Sequence, residues 1–130
     1  MPKKGDSYTI TLQEAHLKWG EHRHTSSRGI VYGEGYLPIP LAIAKNFDIY
    51  MSNHPTANTI YKCTSRDGFL NDSKLKAAGN VKGGDHYAKQ FQGKGDLQIL
   101  GDWFNHVNAQ VGDEVEIYFD DSDEITIAKL

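Results

Sequence analysis

The sequence predicts a mainly β domain with two short helices, folded as a small closed or partly closed barrel. Three observations carry this expectation. Apolar and polar residues alternate along several short segments, most clearly at 7–12 and 115–119. Thirteen glycines and four prolines punctuate the chain between such segments. Helical periodicity is confined to two brief stretches, 41–47 and 102–108. A length of 130 residues suits one domain spanning residues 1–130. A chain of that size buries roughly two-thirds of its unfolded surface and needs no covalent staple.

Taken in order, Tyr8, Ile10 and Leu12 alternate with Ser7, Thr9 and Thr11, which is a period-2 strand. Residues 17–28 (LKWGEHRHTSSR) lack an apolar period and read as an exposed loop. Residues 30–39 are strand-like, with Gly33 and Gly35 marking a bulge or bend. Pro38 and Pro40 are expected to end ladder pairing, and Pro40 suits the first turn of a helix over 41–47. Leu41, Ala42, Ile43, Ala44 and Phe47 would form its apolar face. A short strand over 48–51, a turn at His54-Pro55 and a strand over 59–64 (TIYKCT) follow. Arg66-Asp67-Gly68 is a turn signal. Residues 71–94 are polar and lysine-rich, with 87–91 as a strand inside them. Residues 97–100 read as a brief strand. Residues 102–108 read as a helix with Asp102 at its cap and Trp103, Phe104 and Val107 inward. The turn Val111-Gly112-Asp113 leads into a strand at 115–119, a loop at 120–123 and a closing strand at 124–130.

Composition excludes several classes. Cys63 is the only cysteine, so neither a disulfide framework nor a zinc site built on several thiolates is available. No apolar run approaches the roughly 18 residues that a membrane-spanning helix needs. The basic start MPKK lacks the apolar core of a secretory signal, which predicts a reducing, cytoplasmic setting. Net charge is −3, but it is unevenly spread. Residues 1–95 hold 13 Lys and Arg against 8 Asp and Glu, whereas residues 96–130 hold Lys129 alone against 9 acids. A chain with one basic and one acidic side can meet a polyanion through the basic one.

Candidate chemistry is thin elsewhere. His22 and His24 are spaced to share a metal if they lie on a strand. The cupin pattern places a glutamate about four residues after such a pair, whereas Glu34 follows by ten. A small cupin-like metal enzyme is therefore the alternative, and two solvated histidines the simpler reading. Cys63, mid-strand beside Ile60 and Tyr61, reads as a buried inert thiol. The glycines at 79–84 lack the Gly-Lys-Ser/Thr ending of a phosphate-binding loop. Asp120, Asp121, Asp123 and Glu124 lack the spacing of a calcium loop. No cofactor, metal or catalytic residue is expected.

The groups suited to DNA lie in two polar stretches. Two of the three arginines, Arg23 and Arg28, fall in 21–28 together with His24, Ser26 and Ser27. Arginine grips guanine O6 and N7 bidentately, and hydroxyls and imidazoles bond base edges or phosphates. Arg66 lies in its own turn, and Lys82, Lys89, Gln90 and Lys94 supply phosphate and amide contacts in the second stretch.

Two segments together resemble a B3-type DNA-binding pseudobarrel. In that family a strand ends in a Leu/Ile-Pro step and opens a short helix, as Tyr36-Leu37-Pro38-Ile39-Pro40-Leu41-Ala42-Ile43-Ala44-Lys45-Asn46-Phe47 does here. A Gly-Trp-x-x-Phe helix then precedes Gly-Asp and an apolar strand. The counterparts here are Leu100-Gly101-Asp102-Trp103-Phe104-Asn105-His106-Val107 and Val111-Gly112-Asp113-Glu114-Val115-Glu116-Ile117-Tyr118-Phe119. Asp102 intervenes between Gly and Trp, and Phe follows Trp directly, which departs from the pattern. The resemblance implies about seven strands, with AbrB-like swapped-hairpin barrels as the nearest alternative fold. It also implies sequence-preferring binding of double-stranded DNA by two loop arms in the major groove. Such domains occur in plant transcription factors and as recognition modules of bacterial restriction endonucleases, where a separate domain or subunit cuts. Carried over by position, 21–28 is the first arm, and the second falls within 64–94. A protein-interaction barrel without nucleic-acid binding is the remaining alternative.

Overall fold

A computed structural model of the chain describes residues 2–17, 35–50, 59–79, 87–96 and 98–130. Seven strands form one sheet: β1 (Ser7–Thr11), β2 (Leu37–Pro38), β3 (Ile60–Ser65), β4 (Ser73–Ala78), β5 (Gln90–Gly93), β6 (Glu114–Asp121) and β7 (Glu124–Lys129). Their spatial order is β1-β6-β7-β3-β4-β5-β2, and the sheet curls into a nearly closed barrel. All neighbours are antiparallel except β3 and β7. A helical turn α1 (Glu14–Leu17) and two helices, α2 (Leu41–Phe47) and α3 (Ile99–His106), complete the described elements. No helix among the described residues is long and apolar enough to cross a membrane.

The alternation along each strand fills the barrel. Tyr8, Ile10, Tyr61, Cys63, Leu75, Ala77, Phe91, Val115, Ile117, Phe119, Ile125 and Ile127 point inward and are buried. Tyr61, Phe91 and Phe119 meet edge to face or tilted, with ring centroids 5.1–6.5 Å apart. Ala77 stands opposite Phe91 in the β4–β5 register, so a small residue makes room for a large one.

β1 and β2 are the two ends of the sheet, and the ladder does not join them. Contrary to the expectation that it ends pairing, Pro38 lies within β2 opposite Gln90. An edge strand tolerates proline because its missing N–H faces away from the neighbour. The Ile39 amide donates to the Lys89 carbonyl at 2.8 Å, while the Pro38 carbonyl faces the gap. There it accepts the buried Tyr8 hydroxyl at 3.2 Å. A second tie, from the Tyr36 amide to the His16 carbonyl at 3.2 Å, spans the same seam. Burial, with nearby Tyr61 adding to it, pushes the Tyr8 phenol far above its ordinary pKa, so the group is a permanent donor.

Other expectations shift by identifiable causes. Residues 97–100 were read as a strand, but Ile99 and Leu100 open α3. The Asp96 side chain accepts the Gln98 amide at 3.0 Å and its carbonyl accepts the Ile99 amide, which starts the helix early. Asp102 is consequently exposed mid-helix rather than capping it, while Trp103 and Phe104 are buried as expected. β4 was hidden in a polar stretch. The strand expected over 48–51 is reduced, where described, to one bridge between Tyr50 and Tyr87. Leu41 and Ala42 are exposed on α2, whose packing falls to Ala44 with Ile43 and Phe47. Leu17 belongs to α1, and the rest of the loop expected over 17–28 lies outside the described residues.

Replacing Tyr8 by Phe removes one hydroxyl from the seam and leaves the half-buried Pro38 carbonyl without that donor. The expected loss is about 1 kcal/mol, within the usual range for such a bond. It is read as a lower urea midpoint at unchanged slope.

Candidate nucleic-acid interface

Of the ten residues expected to contact DNA, Arg23, His24, Ser26, Ser27, Arg28 and Lys82 lie outside the described residues. So do His22 and Glu34, the remaining members of the alternative metal set. Arg66, Lys89, Gln90 and Lys94 are described, and they do not share one place. Arg66 follows β3, where its guanidinium meets Glu116 at 3.3 Å. Lys89 precedes β5 at the other end of the barrel, with its amide on the Ala78 carbonyl at 2.7 Å. Gln90 is only 8% exposed, and its side-chain amide donates to Gln92 at 3.3 Å. Gln90 therefore belongs to the barrel wall. Lys94, just beyond β5, is exposed.

The strand directions fix where the undescribed stretches attach. Residues 18–34 are flanked by Leu17 and Gly35, at the end of the barrel that α3 covers. There the His16 and Tyr36 rings meet edge to face at 5.0 Å. Burial lowers the His16 pKa and so favours the neutral ring, whose Nδ1 accepts the Gln13 amide at 3.0 Å. Gly35 passes so close to α3 that a Cβ would lie 2.8 Å from the Phe104 ring. Residues 80–86 are flanked by Gly79 and Tyr87, at the opposite end, beside α2. Lys45 of α2 lies 6.0 Å from the centroid of the Tyr87 ring.

Between the two ends, the outer wall divides by charge. The outward residues of β3, β4 and β5 include Lys62, Lys74, Lys76 and Gln92, with Lys94 at the end of the row. Those of β6 and β7 include Glu114, Glu116, Asp120 and Glu124. The boundary runs between β3 and β7, where Lys62 and Glu124 face each other at 3.9 Å. Lys62, Lys74 and Lys76 were not among the expected contacts. Their signal is the period-2 pattern Lys74-Leu75-Lys76-Ala77, which puts two ammonium groups on one face of a strand.

The α3 end carries a tight polar cluster. Trp103 is fully buried and donates its indole N–H to Asp67 at 2.9 Å. The Ser65 hydroxyl and the Phe69 amide donate to the other oxygen of Asp67, each at 2.9 Å. Ser65 in turn accepts the Leu70 amide. Burial alone would raise the Asp67 pKa, but the donors from Trp103, Phe69 and Ser65 outweigh it and hold the carboxyl below its usual value. Phe69 stacks on His106, with ring centroids 4.4 Å apart. An open cavity of about 320 Å³ beside this cluster is lined by Arg66, Asp67, Val107, Ala128 and Lys129. Its two cations are engaged by Glu116 at 3.3 Å and Asp113 at 3.6 Å. This end is therefore a braced structural joint between the β3–β4 turn and α3.

Cys63 is buried and free, and burial pushes its thiol up to about 12, with Asp120 adding to the shift. Such a thiol is no nucleophile at neutral pH. Among the described residues no cluster of three His, Cys, Asp or Glu side chains is placed to hold a metal ion. No protein-family model matches the chain, and no curated protein matches its sequence.

Because the folded pKa of Asp67 is depressed, its contribution is complete above the ordinary aspartate value of 3.8 and is lost as pH falls through the folded value. Urea unfolding between pH 5 and pH 2 should show Asp67→Asn with a shallower acid-side fall in stability than the unmodified chain. An identical fall in both would mean that the Trp103 joint does not sense this carboxyl.

Proposed function

We propose that the chain is a double-stranded DNA-binding domain with sequence preference and no catalysis of its own. What supports this reading is the partition of charge around the barrel, basic on β3–β5 and acidic on β6–β7. A polyanion is attracted to one wall and repelled by the other, so it meets the barrel in one orientation. Six-residue strands such as β3 and β4 make that wall about 20 Å long. A duplex laid along it reaches both ends, where 18–34 and 80–86 attach. In this arrangement Arg23, His24, Ser26, Ser27 and Arg28 read bases or adjacent phosphates from one arm. Lys82 and Lys89 approach from the other end, with Lys94 on the wall between. Arg66, paired with Glu116, contributes only by exchanging that partner for a phosphate.

The B3-like resemblance of residues 36–47 and 100–119 points to the same class. It also suggests a recognition module of a restriction system, whose nuclease resides in a separate domain or subunit. The single buried thiol fits a reducing, cytoplasmic compartment.

Selection from a random duplex library should enrich one short sequence. Arg23→Ala or Arg28→Ala should then cost about 1–3 kcal/mol on the enriched site and relax preference at one base pair. Unchanged affinity in both variants would remove the first arm from the reading. Equal, feeble binding to every duplex and to heparin would favour the protein-interaction barrel instead.

A further inference from the structure

Lys62, Lys74 and Lys94 stand in one row across three strands. Lys62 lies directly opposite Lys74 in the β3–β4 register. One step beyond the Leu75–Gly93 pair, the Lys94 amide donates to the Lys74 carbonyl at 3.0 Å. All three residues are exposed. Directly opposed residues on neighbouring strands hold their Cβ atoms about 4.5–5.5 Å apart, so three ammonium groups spring from a strip about 10 Å wide. Lys76 adds a fourth, two residues along β4 on the same face.

Like charges placed directly opposite each other destabilise a sheet. Among the described residues no carboxylate lies within ion-pair distance of Lys74, Lys76 or Lys94. Lys62 has only Glu124 at 3.9 Å, between side chains 55% and 46% exposed. A pair that open contributes little. The carboxylates carried within the described strands stand on β6 and β7, and Asp72 and Asp96 flank the row in the adjoining loops. Among the described residues the row thus carries a like-charge repulsion that ion pairs hardly offset, and a phosphate backbone would relieve it.

We propose that the Lys62–Lys74–Lys94 row is a docking track for one phosphate strand of duplex DNA, contributing affinity and orientation without reading sequence. The inference rests on the DNA-binding reading above. Lysine suits this task because its ammonium is a compact point charge on a flexible stem, tolerant of the exact phosphate position. Each phosphate neutralised releases counterions, so the track is visible in the salt dependence of binding.

The test compares the unmodified chain, a Lys62→Gln/Lys74→Gln/Lys94→Gln variant and the corresponding triple Arg variant. Each is titrated with the selected duplex and a scrambled duplex at several salt concentrations. The Gln variant should lose affinity for both duplexes by the same factor. Its slope of log affinity against log salt should be shallower by about 2.7, at about 0.9 per phosphate contact. The Arg variant should keep the original slope. The thermal midpoint of the Gln variant should not fall, because repulsion has been removed. If the unmodified chain binds duplex DNA and the Gln variant shows the same salt slope, the track is wrong while the functional reading stands. Loss confined to the selected duplex also overturns it, since the lysines would then be reading bases. If the unmodified chain binds no duplex at all, the functional reading itself falls.

Discussion

The architecture depends on how a seven-stranded sheet is brought round on itself without a complete ladder. Pro38 has no amide hydrogen to offer across the gap, so β1 and β2 do not pair as strands. A buried phenol reaches over instead, from Tyr8 to the Pro38 carbonyl, with the Tyr36–His16 backbone bond as a second tie. Once the sheet is curved round, inside and outside are defined for every strand. Inward positions take Tyr61, Phe91 and Phe119; outward positions are released from packing and take charge. That division leaves the outward positions free to carry the basic and acidic walls.

The parts of the fold legible in the sequence are those specified by local rules. The β6–β7 hairpin alternates cleanly after Gly112, which adopts a positive φ of 94°. β1 alternates as cleanly, and Pro40 marks the start of α2. Trp103 and Phe104 declare an inward helical face. β4 was not legible, because its two buried residues are Leu75 and Ala77 and its other positions are polar or small. Ala77 becomes meaningful only opposite Phe91, a contact that no local pattern records. The start of α3 was misread because a short apolar run does not distinguish strand from helix, and the deciding group is the Asp96 carboxylate upstream.

The same distinction applies to the candidate interface. Arg66, Lys89 and Lys94 were visible as cations, but their distribution over the barrel follows from strand direction. The lysine row is a non-local object: Lys62, Lys74 and Lys94 are remote in sequence and adjacent only through register. Gln90 looked available for amide contacts, and its near-complete burial reflects tertiary cover that composition does not report.

Cys63 sits under the one parallel junction of the barrel, between β3 and β7, with its thiol sealed from solvent. While the sheet holds, disulfide reagents cannot reach the sulfur, and the raised pKa of the thiol leaves little thiolate to attack them. Modification therefore waits on separation of those strands. At reagent concentrations where capture outpaces reclosing, the rate at which the sulfur is trapped equals the rate at which the sheet opens around Cys63.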